Sequence, residues 1–133
     1  MKFLHYEIKF GIEATTKSGI LKRVKETQEK LGEDTLDNID LLLDITPELI
    51  LVGLQRKYSK EFGYNYSTEE GKDEALRKVY DLFDEYMDQD DSSIFDLFNA
   101  LGEELVVNGF FKRQLAMKKE EEKTEKNKEK TEK

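Results

Sequence analysis

From Gly11 onward the apolar residues of this chain recur at intervals of three and four, in runs separated by glycine, proline or Asp-Ser stops, and that spacing commits most of the chain to amphipathic helices. Ile20, Leu21, Val24 and Leu31 form one stripe, closed by Gly32. Leu36, Ile39, Leu42 and Leu43 form a second that ends near Ile45, because Thr46-Pro47 reads as the N-cap and first-turn pair of a new helix. That third helix carries Leu49, Ile50, Val52, Leu54, Tyr58 and Phe62, with Gly63 at its left-handed closing position. Gly63-Tyr64-Asn65-Tyr66 is loop, and Ser67 or Thr68 caps a fourth helix that runs to about Met87. Its stripe is Leu76, Val79, Tyr80, Phe83, Tyr86 and Met87, and Glu69, Glu70, Asp73 and Glu74 lie at its positive end. Asp90-Asp91-Ser92-Ser93 interrupts the pattern and caps a fifth helix, with Ile94, Leu97, Phe98, Leu101, Leu105 and Val106 on its buried face and its end near Val107. Asn108-Gly109 then reads as a left-handed stop.

The N-terminus follows a different period. Leu4, Tyr6, Ile8, Phe10 and Ile12 share one parity and His5, Glu7 and Lys9 the other, which predicts a half-buried strand over residues 3–10. No second run alternates as clearly, so the edge of this strand is open to another copy of the chain or to a partner. The expected fold is mostly α: a single helical domain of about five helices with a short N-terminal β-strand.

The composition bounds what such a domain can do. A chain of 133 residues has room for one modest core, but residues 118–133 contribute no apolar residue to it. That segment holds seven Lys, six Glu, two Thr and one Asn, cannot bury enough surface to order itself, and is read as a disordered charged tail to a domain spanning 1–117. The tail has one more Lys than Glu, so the domain is more acidic than the net charge of −8 for the whole chain, at −9, which argues against tracking a phosphate backbone. Nucleic acid is therefore not an expected partner. Without cysteine there is no disulfide framework and no thiolate ligand or nucleophile. The longest apolar runs are about four residues, such as Leu49-Ile50-Leu51-Val52, far short of a membrane span, and the N-terminus lacks the apolar core of a signal peptide. The expected location is cytosolic.

No motif for catalysis emerges. The one histidine, His5, has no acidic metal motif beside it and reads as an exposed strand-face residue. A calcium loop begun at Asp88 would put Ser93 where glycine belongs and Asn99 where the bidentate glutamate belongs, so Asp84, Glu85, Asp88, Asp90 and Asp91 read instead as a solvated helix end and a cap. The glycines are scattered singly and build no phosphate cradle. Glu26 and Glu29 interleave with Lys22-Arg23-Lys25, the pattern of an exposed, ion-paired helix face. No enzyme, cofactor or metal is expected. The aromatic load, six Tyr and eight Phe without Trp, points instead to contact surfaces. Tyr64 and Tyr66 lie in a loop and Phe110 and Phe111 beyond a helix stop, so these four are the candidate partner-binding residues. Adjacent residues in extended chain face opposite sides, so one terminal ring can close the core while the other is directed away from it.

The block from Pro47 to Gln114 resembles the tail assembly chaperones of long-tailed, siphovirus-type phages and prophages of Gram-positive bacteria. The likeness rests on the helix opening Thr46-Pro47-Glu48-Leu49, the aromatic and acidic run VYDLFDEYMDQDD before a helix, and the closing EEL-x-x-NGFF. Upstream, IKFGIEATTKSGILKRV is similar to the family's opening strand, Phe-Gly and helix. The resemblance implies a non-catalytic, self-associating helical protein of the host bacterial cytoplasm that coats the tape measure protein during tail-tube assembly and is absent from the mature virion. It also implies a longer, frameshifted form of the same protein. The Lys/Glu tail is outside the family's pattern, which makes it a candidate for the short form's own end. A small acidic helical regulator or adaptor that binds one folded protein is the alternative that the same composition allows.

Overall fold

A computed structural model describes residues 1–31 and 36–106, with residues 36 and 37 as backbone. Two short strands, β1 (Lys2–Phe3) and β2 (Tyr6–Glu7), precede six helices: α1 (Ile12–Ser18), α2 (Ile20–Lys30), α3 (Leu36–Gln55), α4 (Ser59–Phe62), α5 (Lys72–Met87) and α6 (Ile94–Val106). The expectation of a mostly α fold with a small N-terminal β element holds. The tail at 118–133, together with Val107, Asn108-Gly109, Phe110 and Phe111, lies outside the described residues.

Helix α3 is the axis of the molecule. Leu42, Ile45, Leu49, Ile50, Leu51, Val52 and Leu54 are all buried, so the helix is apolar nearly all round over its second half. That explains the four-residue apolar run: α1, α2, α4, α5 and α6 each pack against α3, and only a surrounded helix can bury consecutive residues. At about 1.5–3 kcal/mol for each fully buried aliphatic side chain, this one helix supplies a large part of the folding free energy. Val24 and Ile20 from α2, Val79 and Phe83 from α5, and Leu97, Phe98, Leu101 and Leu105 from α6 complete a single core around it.

The helix boundary expected at Thr46-Pro47 does not exist. α3 continues through Pro47, whose missing N–H leaves the carbonyl of Leu43 without its helical partner. Leu43 is exposed, so that carbonyl is within reach of water, while Thr46 and Pro47 are buried and held by core packing on both sides. Thr46 caps nothing; among the described residues its hydroxyl has no hydrogen-bond partner. The expected end of this helix also moves: α3 stops at Gln55, and Tyr58–Phe62 is a separate turn ending in α4. Gly63 follows α4 in extended conformation at φ −72°, not left-handed. Glycine is needed there for proximity, since a Cβ would sit 2.5 Å from the Ser59 carbonyl oxygen.

Two other expectations are corrected. The single strand over 3–10 is a hairpin: Leu4, at φ +53°, turns the chain so that Lys2 pairs with Glu7 and Phe3 with Tyr6, antiparallel. The strand's partner thus comes from the same chain, and its edge is met by α3 and the turn after it, as Lys9 N–H donates to the Gly53 carbonyl and Glu7 N–H to the Tyr58 hydroxyl. Tyr6, Ile8 and Phe10 still face inward, and Ile12, past the expected strand end, opens α1; the single helix expected after Gly11 is divided at Gly19, left-handed at φ +67°, into α1 and α2, of which α1 buries only Ala14 and Thr15. Ser67 and Thr68 do not cap α5. Their N–H groups donate to Asn65 Oδ1, and the residue before α5 is Gly71 at φ +88°. Ser93 does cap α6, its hydroxyl accepting from Asp96 N–H.

Candidate partner-binding cleft

The segment between α4 and α5 turns back on itself at Asn65. Its side chain accepts the N–H groups of Ser67 and Thr68 at 2.9 and 3.1 Å, and its backbone N–H donates to the Glu70 carbonyl. This closed turn holds Tyr64 and Tyr66 on either side of Asn65 as an edge-on pair with ring centroids 5.1 Å apart. Gln55, at the last position of α3 and 4% exposed, locks the arrangement: its Nε2 donates to the Phe62 carbonyl, and its Oε1 accepts the Tyr66 hydroxyl at 3.1 Å. Both tyrosines are half-buried, so the rings form a fixed wall rather than free loop side chains.

Opposite that wall lies the start of α1. Gly11, Ile12, Glu13 and Ala14 face Arg56, Tyr64 and Tyr66 across an open cleft of about 530 Å³. Ile12 is 67% exposed, the most exposed large apolar residue among those described. Arg56 has its aliphatic stem along Gly11, where an added Cβ would stand 3.4 Å from its Cβ and Cδ. Its guanidinium, unlike Arg23, Lys57 and Lys72, has no ion-pair partner among the described residues. Lys17 lies 5.8 Å from the centre of the Tyr66 ring, at cation–π distance. Burial, and then the neighbouring Tyr64 and Glu13, push the Tyr66 hydroxyl above its ordinary pKa, so it stays a neutral hydrogen-bond donor.

The structure thus brings together two of the four residues expected to bind a partner, Tyr64 and Tyr66; Phe110 and Phe111 are outside the described residues. It adds Ile12 and Arg56, which sequence reasoning passed over. Ile12 shares the parity of the inward strand residues but lies beyond the strand expected over 3–10, and Arg56 follows a buried helix end with no motif around it. The one available signal was the change of period at Gly11, which puts Ile12 on the first turn of a helix.

The remaining candidates are plainer. His5 sits exposed in the hairpin turn with its ring 4.2 Å from that of Tyr6. Lys22 pairs with Glu26 along α2, whereas Arg23 reaches across to Glu48 and Asp44 of α3, so that basic cluster is partly an inter-helix clamp. No group of three His, Cys, Asp or Glu that could hold a metal ion occurs among the described residues. No helix among them is long and apolar enough to cross a membrane. The cleft itself offers aromatic faces, one exposed aliphatic side chain and an exposed guanidinium, which are groups for recognition. Comparison with family models, with curated proteins and with solved structures finds no match to this chain.

Proposed function

We propose that this chain is a non-catalytic phage tail assembly chaperone, which self-associates and holds the tape measure protein soluble in the bacterial cytoplasm until the tail tube closes around it. The observation that carries this reading is the cleft: an open, largely apolar recess with Ile12 at its mouth and two pinned tyrosines for a wall, set on a body of net charge −8. The sequence likeness between residues 47 and 114 supplies the client's identity. One apolar side chain of another copy entering such a recess buries on the order of 100 Å² and gains roughly 2–3 kcal/mol, a modest contact suited to reversible self-association. Copies gathered along one extended client meet at a raised effective concentration, which strengthens so modest a contact. Dense surface charge keeps such an assembly soluble.

Co-expression with the tape measure protein tests the proposal. The client is expected in the soluble fraction and in a complex with this chain; equal solubility with and without it, and no complex, would sink the idea. Phe110→Ser combined with Phe111→Ser is expected to keep the helical circular-dichroism signal and weaken client binding or self-association. Loss of the folded signal in that variant would assign both rings to the core. A slippery heptamer and an overlapping frame from about codon 115 are expected in the DNA, encoding the longer frameshifted form.

A further inference from the structure

Helix α5 carries two exposed apolar residues along the edge of its buried face. Tyr80 is 49% exposed and Met87 37% exposed, seven residues apart and therefore on one stripe of the helix. Asp84 lies one turn along from Tyr80 on the adjoining strip of the helix, with Asp81 and Asp88 beside it, all exposed and none ion-paired among the described residues. An aromatic ring flanked by exposed carboxylates is complementary to a recess with aromatic walls and an exposed guanidinium that has no ion-pair partner among the described residues. Even the minority charges match: Arg77 is the cation on the stripe and Glu13 the carboxylate in the cleft.

We propose that the cleft of one molecule receives the α5 stripe of a second copy, with Tyr80 against Tyr64, Tyr66 and Ile12 and the Asp84 carboxylate on the Arg56 guanidinium. This deepens the self-association in the function proposed above by naming its two surfaces. The occupant is a second copy rather than the chain's own apolar segment at 107–117, because that segment contains Lys112 and Arg113 and no carboxylate, and so has nothing to offer Arg56. Donor stripe and acceptor cleft are different surfaces, so each molecule can give once and receive once. Such a contact either closes in a ring or two-fold pair or continues as an open row. A carboxylate on a guanidinium is a directional, charge-assisted pair, and an aromatic anchor in a pocket is the usual hot spot of an interface.

Sedimentation velocity of the full chain over a range of concentrations tests this. Wild type is expected to associate; Arg56→Glu and Tyr80→Ser are each expected to weaken association at least about tenfold with unchanged circular dichroism, both positions being exposed. Arg56→Glu combined with Asp84→Arg is expected to regain it, which a general loss of stability would not do. A wild type that stays monomeric, or association indifferent to Arg56→Glu, overturns the inference. Client co-expression separates it from the function: a client held normally while association ignores Arg56 and Asp84 leaves the function and removes these surfaces. A swap that behaves as expected with no client held does the reverse.

Discussion

At Gly53 helix α3 dispenses with a side chain so that the hairpin can lie on it. A Cβ there would stand 2.7 Å from Ile8 Cγ2 and 3.3 Å from the Phe10 ring, and the Gly53 carbonyl accepts Lys9 N–H at 2.9 Å. Alanine is the better helix former by about 1 kcal/mol, but forcing a methyl into a packed contact costs about 1–3 kcal/mol or more. Gly53→Ala is therefore expected to destabilise the protein by about 1–2 kcal/mol in urea unfolding, and an increase in stability would show that the hairpin is only loosely seated. Tyr66→Phe removes the donor from a buried Gln55 Oε1, with an expected loss of about 1–2 kcal/mol. The same residue has a pH signature. Tyr66 is raised by burial first, and Tyr6 by burial and then the Glu61 carboxylate, so the folded state holds these phenol protons more tightly than the unfolded chain. Their contribution is complete below the ordinary tyrosine pKa of about 10 and is lost as pH climbs through the raised values. Stability is expected to fall above about pH 10, and less steeply in Tyr66→Phe.

Among the elements, α3 shows how tertiary packing overrides a local rule. Proline inside a helix is about 3 kcal/mol worse than alanine, which is why Thr46-Pro47 reads as a boundary. The boundary fails because Ile45, Thr46, Pro47, Leu49 and Ile50 are buried together, and ending the helix there would uncover them. Pro47→Ala restores an N–H to the Leu43 carbonyl but loses buried ring methylenes and frees the unfolded chain, by about 0.4–1 kcal/mol for the latter. The expected net is a gain of about 1 kcal/mol in chemical denaturation, and a clear loss would mean that the proline ring is itself a core contact. The hairpin is the converse case. Alternation over residues 4–10 correctly marks which side of the chain faces inward at Tyr6, Ile8 and Phe10, but a pattern of period two is blind to a two-residue turn that returns the chain onto itself. The separation of α1 from α2 has a simpler reason for escaping notice: a seven-residue helix burying only Ala14 and Thr15 has no stripe of its own to set it apart.

For the whole molecule, the organising charges are few. Glu48 on α3 meets Arg23 of α2 and Lys72 of α5, tying three helices at one point on an otherwise acidic surface. The group is only partly buried, so the link is worth more than a surface pair but is still screened by salt. Glu48→Gln is expected to lower stability by about 1 kcal/mol at low ionic strength and by less at high salt. A loss that ignores salt would instead assign Glu48 a packing role.

Helical class, the buried faces of α2 and α6, Val79 and Phe83 of α5, the Ser93 cap and the acidic start of α5 were determined by the sequence alone, because each depends on residues within one or two turns of one another, whereas Tyr80 and Met87 of the expected α5 stripe are exposed. The candidate tyrosines were also visible there, as aromatics placed in a loop. What only the tertiary structure decided was the passage of α3 through Pro47, the pairing of the N-terminal strand within its own chain, and the assembly of Ile12, Arg56, Tyr64 and Tyr66 around one cleft. The last of these joins residues up to 54 positions apart in the chain, Ile12 and Tyr66, and no local period records which distant side chains will meet.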